Sequence, residues 1–114
     1  ISFMALHFAS KRGHIDVVKL LIQNGVDVGV VNGRGATALH LASTELNYDL
    51  AKVLIQNGAD VNAVDKYKET ALHCACSEDF LGDLVELLIQ NGADVNAVDK
   101  DKQTAWRDYP RSYI

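Results

Sequence analysis

The sequence predicts an all-α solenoid, in which short helix-turn-helix units stack side by side. One observation is a segment, Ile55 to Lys66, that recurs letter for letter from Ile89 to Lys100. The other is an Ala-Leu-His triplet that begins at Ala5, Ala38 and Ala71, each 33 residues after the last. Self-similarity at this period is typical of stacked-repeat proteins. We therefore expect function to be spread along a repeated surface instead of lying in one catalytic cluster.

Helix-boundary signals in the third unit support this architecture. Thr70 can cap a first helix of about residues 71–78, because its hydroxyl accepts from backbone N–H groups that the helix leaves without a partner. A second helix of about residues 83–90 is followed by Gly92, which can take the left-handed conformation that ends a helix. The second helices are nearly apolar all round, so neighbouring units must cover them on several sides.

The repeat markers indicate a single domain, 1–114, that ends in a degraded copy. We expect three full units and an incomplete fourth, at about residues 1–31, 32–64, 65–98 and 99–114. In the last copy Trp106 and Arg107 replace the Leu-His pair, and Pro110 would break the first helix. We expect Trp106 and Tyr109 to fold partly over the open end of the stack as a cap, with a frayed tail as the alternative.

Composition and charge favour a protein partner inside the cell. A chain of 114 residues with 48% hydrophobic and 23% charged residues is normal for one folded domain. The net charge of −4 argues against nucleic acid or an anionic membrane as the main partner, although it allows a local basic patch. Cys74 and Cys76 would point to different sides of a helix and are poorly placed for a disulfide. A reducing compartment, the cytoplasm or the nucleus, is therefore expected.

No targeting segment or membrane span is predicted. The opening residues lack a basic leader, and no apolar run approaches the ~18 uninterrupted residues that cross a bilayer. The chain opens inside a repeat and has no initiator Met, so we expect it to be a fragment of a longer protein.

Two motifs resemble the ankyrin repeat family over about residues 4–105. Thr37-Ala38-Leu39-His40 and its copy from Thr70 are similar to the family's Thr-Pro-Leu-His helix start, and Gly58 to Ala63 repeats its Gly-Ala-Asp-Val-Asn-Ala segment. The resemblance implies a right-handed stack with β-hairpin-like loops that project at an angle. It also implies binding to other proteins through loop tips and the concave surface of the first helices, with no common catalytic activity. Lys68 and Lys102 depart from the family's preference for Gly, and each would cost ~1 kcal/mol at positive φ.

The expected partner-binding residues fall on two parts of this concave side. The loop tips carry varied side chains, and the candidates there are Arg34, Ala36, Lys66, Tyr67, Glu69, Lys100, Asp101 and Gln103. The first helices and their ends supply Lys11, Arg12, Glu45 and Glu78. Arg34 and Tyr67 are the best anchors, because Arg and Tyr are enriched among interface hot spots. The alternative for both sets is an ordinary solvated surface.

The three histidines of the Ala-Leu-His triplets are not expected to bind metal. Ligands must converge within ~2–2.3 Å of one ion, whereas His7, His40 and His73 lie one layer apart, roughly 10 Å. We expect each histidine to tie neighbouring hairpin backbones by hydrogen bonds. His73, Cys74 and Cys76 would diverge on a helix, so Cys76 is expected in the core, while Cys74 is a candidate for an accessible, oxidisable thiol.

These observations predict a non-enzymatic protein–protein interaction module with no cofactor and no metal. The alternative is a structural spacer or adaptor segment of a larger intracellular or channel protein. An enzyme or metal protein is the third and least supported reading. The uncovered faces of the terminal repeats also predict weak self-association.

Overall fold

Six α-helices in three pairs form the protein, in a computed structural model that describes residues 2–76 and 82–107. The helices are α1 Ser2–Arg12, α2 Ile15–Gln23, α3 Ala38–Thr44, α4 Tyr48–Gln56, α5 Ala71–Cys76 and α6 Asp83–Gln90. Helices α1, α3 and α5 contact one another in sequence, and α2, α4 and α6 form a second row behind them. Over the described residues there is no strand, and the molecule is elongated, with extents of 45 × 25 × 22 Å. The all-α solenoid predicted from the repeats is confirmed.

Equivalent residues of successive units build one continuous core. Leu6, Leu39 and Leu72, each 33 residues after the last, are almost fully buried in the first row of helices. Alanines three positions further along the same helices are also buried, which lets the helix pairs approach closely: Ala9, Ala42 and Ala75. The second row contributes leucines at matching positions: Leu50, Leu54, Leu84 and Leu88. Each Å² of apolar surface removed from water contributes ~25 cal/mol of stabilising free energy. This shared core is therefore the main source of stability.

The helix ends follow the sequence signals. The Thr37 hydroxyl accepts from the His40 N–H and caps α3, and Thr70 does the same for His73 and α5. The side chain of Asn47 caps α4. The second helices end before glycines with φ between 91° and 94°, as predicted for Gly92: Gly25, Gly58 and Gly92.

The histidines of the triplets join each unit to the next. Nε2 of His7, His40 and His73 lies 2.8, 2.8 and 2.9 Å from the carbonyl oxygens of Ala36, Glu69 and Gln103. The Thr37 N–H donates to His40 Nδ1 at 3.1 Å, so Nδ1 is the acceptor and the hydrogen lies on Nε2. The structural role expected for these histidines is confirmed.

The loop tips are also hydrogen-bonded directly to one another. The Lys66 N–H donates to the Arg34 carbonyl at 3.0 Å, and the Lys100 N–H donates to the Tyr67 carbonyl at 2.9 Å. Further back, Asn62 donates to the Gly92 carbonyl and accepts from the Asp94 N–H at 2.7 Å. In the first unit the equivalent residue is Gly29, which has no side chain to make these hydrogen bonds. This second contact therefore joins the second unit to the third.

The first unit leaves an apolar face open. Val17 of α2 is 45% exposed, whereas its equivalents Leu50 and Leu84 are 0% and 3% exposed. Leu20 is 58% exposed, and its equivalent Leu87 is 8% exposed. In the second and third units, these positions pack against the unit that precedes them. Self-association through this face stays a prediction.

The other end of the stack is partly covered by the degraded fourth copy. Thr104 to Arg107 form a turn, and no helix follows α6 within the described residues. Trp106 packs against the core, half-buried, and its Nε1–H donates to the Val95 carbonyl at 3.0 Å. The cap expected from Trp106 is present, while Tyr109 and Pro110 lie outside the described residues. Arg107 forms a 3.4 Å ion pair with Asp99.

Within residues 2–76 and 82–107, three non-glycine residues adopt the left-handed backbone conformation. Lys68 and Lys102 have φ of 61° and 62°, at the tip positions where Gly was expected to be preferred. Gly35, the equivalent in the first tip, has φ of 75°. Leu46 has φ of 55° and was not foreseen, although its equivalent in the first unit is Gly13. Each such residue costs roughly 1–2 kcal/mol relative to an ordinary conformation.

Gly35 also lies close to the backbone of the second tip, which gives a test of the packing. A Cβ on Gly35 would lie 3.0 Å from the Lys66 backbone nitrogen, whereas a Cβ on Gly33 would meet nothing within 4 Å. We expect Gly35→Ala to lower the free energy of unfolding in urea by about 1–2 kcal/mol or more. Gly33→Ala is the matched control and should change it by less than ~0.5 kcal/mol. Equal effects of the two substitutions would contradict the close contact between tips.

Candidate functional site

The first-row helices and the loop tips enclose a groove of about 590 Å³ on one side of the stack. The wall formed by the helices carries Phe8, Leu41, Thr44 and Cys74. Charged residues of both signs line the rim of the same groove: Lys11, Arg34, Glu45, Asp65 and Glu69. The groove is open along its length and combines apolar patches with charged groups. Such a surface suits an extended polypeptide or a protein face better than a small molecule.

Each tip is held by its own side-chain hydrogen bonds. Oδ1 of Asp65 accepts from the N–H groups of Tyr67 and Glu69, at 2.9 and 3.0 Å. Asn32 in the first tip and Asp99 in the third make the same pair of hydrogen bonds. These aspartate and asparagine turns fix the direction of the backbone, so the exposed side chains start from ordered positions.

Tyr67 lies at the centre of a group of cations. The Arg34 guanidinium carbon, Lys66 Nζ and Lys100 Nζ lie 5.8, 5.3 and 5.8 Å from the centroid of the Tyr67 ring. Cations within about 6 Å of an aromatic centroid are attracted by the ring quadrupole. We call these four residues the tip cluster. It joins one residue of the first tip, two of the second and one of the third.

Asp99 lies in the third tip, where backbone N–H groups bind its carboxylate. Its carboxylate accepts from the Gln103 N–H and the Asp101 N–H, and these bonds, with the nearby His73 and Arg107, lower the pKa of Asp99 below its usual value. The negative charge of Asp99 is therefore stabilised inside the third tip. Its function is to hold the tip in shape.

The comparison with known families agrees with this geometry. A family model described as ankyrin repeats matches residues 6–99 with three copies. The chain belongs to the ankyrin repeat family. A segment of 33 residues is also 54% identical to part of a probable E3 ubiquitin-protein ligase of Oryza sativa subsp. japonica. That segment is 29% of this chain and 6% of the ligase, the length of a single ankyrin repeat, so the match concerns the repeat and leaves the rest of the ligase uncompared.

Most of the residues predicted to contact a partner have exposed side chains in the ankyrin stack. Tip residues in this group are Arg34, Lys66, Tyr67, Lys100, Asp101 and Gln103, and the helix residues are Lys11, Arg12 and Glu45. Glu69 is half-buried at the groove rim. Glu78 lies outside the described residues. Their contact with a partner stays a prediction.

Ala36 is placed differently from the exposed tip position that was expected. It is 8% exposed, because it lies at the base of the tip where the chain turns into α3, and its carbonyl is bound by His7. Its side chain is buried but lines the groove. Its contact with a partner therefore stays a prediction.

Phe8 is a prominent groove residue that the sequence reasoning missed. It is 60% exposed, and the Arg12 guanidinium lies 4.9 Å from its ring centroid. Phe8, Leu41 and Cys74 occupy the same position in successive ankyrin repeats, and all three line the groove. A signal was present in the sequence, because this position changes from repeat to repeat whereas the core positions beside it stay the same.

The expectation of an accessible, oxidisable Cys74 is not supported. Cys74 is half-buried, and burial is the largest of the effects that together raise the pKa of its thiol to about 11. Thiolates are the reactive form, so this thiol is less reactive than an ordinary one at neutral pH. Cys76 is buried in the core, as predicted.

Within residues 2–76 and 82–107, no group of three or more His, Cys, Asp or Glu side chains is arranged to hold a metal ion. No helix in the same ranges has both the length and the apolar character needed to cross a bilayer.

The Cys74 thiol gives a pH-dependent test. A pKa of about 11 lowers the thiolate fraction at pH 8 roughly 100-fold relative to a pKa of 9, and higher thiolate nucleophilicity offsets part of this. We expect iodoacetamide to alkylate native Cys74 at least ~10-fold more slowly than a cysteine peptide, with the rate still rising between pH 9 and 10.5. Mass spectrometry of a Cys76→Ser variant isolates this thiol, since Ser10 and Ser43 occupy the equivalent core positions. A rate that levels off near pH 9 would contradict the burial of Cys74.

Proposed function

We propose that this chain is a non-enzymatic module that binds another protein through its loop tips and concave groove. The observation that carries the proposal is the row of three tips, hydrogen-bonded to one another, beside a groove with both apolar and charged residues. The family supports the general part, because ankyrin repeats mediate protein–protein interactions. The choice of the loop tips and the groove as the binding surface rests on the hydrogen bonds between the tips and on the residues that line the groove.

The mechanism is rigid presentation of side chains. Binding usually costs ~0.5–1.5 kcal/mol for each flexible side chain that is immobilised, and more when a loop must be ordered. In this chain, three kinds of hydrogen bond order the tips before a partner arrives. They are the bonds within the aspartate and asparagine turns, the bonds from the histidines to the next tip, and the bonds that the Lys66 and Lys100 N–H groups donate between tips. More of the contact free energy then remains available for affinity.

Chemical variety along the groove supplies specificity. The groove begins at Phe8 with the basic Lys11 and Arg12, and continues past Leu41 to Glu45. Apolar valines are about half exposed at one matching position of each tip: Val31, Val64 and Val98. A partner with complementary charges in the same order, and apolar side chains against Phe8 and the valines, would fit this surface.

The setting we propose is intracellular, in the cytoplasm or nucleus, because Cys74 and Cys76 lie two residues apart on one helix, a spacing that does not suit a disulfide between them. The alternative is a spacer or adaptor segment within a larger protein, whose partner binds elsewhere. That alternative predicts that substitutions on the concave side leave partner binding unchanged.

A double substitution on the tips separates these proposals. We expect Arg34→Ala with Tyr67→Ala to weaken partner binding by ~2 kcal/mol or more, since Arg and Tyr are typical hot spots. The far-UV helix signal should persist, because both side chains are exposed. The partner would be captured with the immobilised chain from a lysate of the source organism, identified by mass spectrometry, and titrated by calorimetry.

The matched control is Lys19→Ala with Lys52→Ala, which changes two exposed residues of the second-row helices. This control should bind the captured partner with unchanged affinity. The interaction module would be contradicted if wild type captured no protein above an empty matrix. Equal binding by the tip variant and wild type would remove the concave side as the binding surface.

A further inference from the structure

We propose that the tip cluster of Arg34, Lys66, Tyr67 and Lys100 binds an acidic segment of the partner protein, through carboxylate side chains. The proposal rests on the protein-binding function above and names the chemistry of its partner at one place. Arg34 and Tyr67 occupy the same position of successive tips, and Lys66 and Lys100 occupy the position before it in the second and third. The cluster therefore exists only because three different tips are stacked.

The three cations are close enough to act on one anionic group. Each lies between 5.3 and 5.8 Å from the same ring centroid, so no two can be more than about 12 Å apart. The Debye length is about 8 Å at physiological ionic strength, so their fields overlap with only partial screening. A carboxylate placed among these cations, away from the negative face of the Tyr67 ring, would be attracted by all three at once.

These cations form no direct ion pair within the described part of the chain. The single ion pair there joins Arg107 to Asp99, and no carboxylate oxygen lies within 4.0 Å of Arg34, Lys66 or Lys100. Oδ1 of Asp65 and Oδ1 of Asp99 are occupied by backbone N–H groups. Glu69 and Asp101, the other acidic residues of these tips, form no ion pair with the cluster. The ring of Tyr67 compensates part of the mutual repulsion, and an external anion would compensate the rest.

The backbone holds the cluster in register. The Lys66 N–H donates a hydrogen bond to the Arg34 carbonyl, and the Lys100 N–H donates one to the Tyr67 carbonyl. Both hydrogen bonds therefore join residues of the tip cluster to each other. Gly35, next to Arg34, lets the first two tips approach. The side chains thus project from a fixed row, and their spacing matches a ligand that spans two or three tips.

An acidic peptide segment fits this surface better than a long polyanion or a membrane. The chain carries a net charge of −4, and Asp101 and Glu69 stand beside the cluster at the third and second tips. A nucleic acid or an anionic bilayer extends far beyond three cations and would meet these carboxylates. A short segment can end before Asp101, and its apolar residues can contact the exposed Val64.

The probe for this proposal is the peptide acetyl-Glu-Glu-Tyr-Glu-Glu-amide, titrated into the ¹⁵N-labelled chain. Its matched control replaces every Glu by Gln. We expect saturable amide shift changes at residues 34, 66, 67 and 100, with at least tenfold weaker binding of the Gln peptide. Raising NaCl from 50 to 500 mM should also weaken binding at least fivefold.

Two charge-reversal variants test the location. Lys66→Glu with Lys100→Glu should abolish saturable binding, whereas Lys19→Glu with Lys52→Glu makes the same change in net charge elsewhere and should leave it intact. Absence of localised shifts up to 5 mM peptide, equal binding of the Gln peptide, or binding that survives Lys66→Glu with Lys100→Glu would overturn the proposal. Cluster-dependent binding of phosphatidylserine vesicles or single-stranded DNA in preference to the Glu peptide would also overturn it.

The proposed function can stand when this inference fails. Loss of a captured partner in the Arg34→Ala, Tyr67→Ala variant, with no Glu preference in the peptide titration, would keep protein binding and remove the acidic specificity. No captured partner and no peptide binding would remove both.

Discussion

The hydrogen bonds that join one repeat to the next are the constraint on which the whole structure depends. Apolar burial drives the units to pack together, but it is not directional and does not fix their register. In this chain, directional hydrogen bonds fix the register of the repeats. His40 is bound at Nδ1 by the N–H of its own cap residue, Thr37, and at Nε2 it donates to the carbonyl of Glu69 in the following tip. One side chain therefore caps its own helix and positions the next loop.

The same constraint connects the fold to the candidate binding surface. The start of each first helix orients a histidine, and that histidine binds the base of the next tip. The N–H groups of Lys66 and Lys100 then bind the neighbouring tip, which sets the positions of the exposed residues relative to one another. Exposed positions that this frame leaves free differ in chemistry from repeat to repeat. Arg34, Tyr67 and Asp101 occupy one such position, and Phe8, Leu41 and Cys74 occupy another. The repeated residues make the scaffold, and the varied residues give the surface its chemical character.

The fold was predictable from the sequence because every local signal recurs. The Ala-Leu-His triplets indicated the period and the role of the histidines, and Thr70 and Gly92 indicated helix ends. Lys68 and Lys102 were recognised as departures from a preferred Gly, and both have positive φ. The surface was less predictable. Ala36 was assigned to an exposed tip because register does not give the depth of a residue, and Phe8 was missed because a lone aromatic in a helix suggests core. The grouping of Arg34, Lys66 and Lys100 around Tyr67 depends on side-chain positions across three units, which no local pattern contains.

Amide hydrogen exchange tests the account most directly, at Lys66 and Lys100. Both residues have exposed side chains in loops, yet their N–H groups donate to carbonyls of the neighbouring tip. If the tips are held in register before any partner binds, these two amides should exchange at least ~100-fold more slowly than in an unstructured peptide. Exchange of both amides at the unstructured rate, while amides of α3 and α4 remain protected, would show that the tips are not fixed by the stack and would contradict the account.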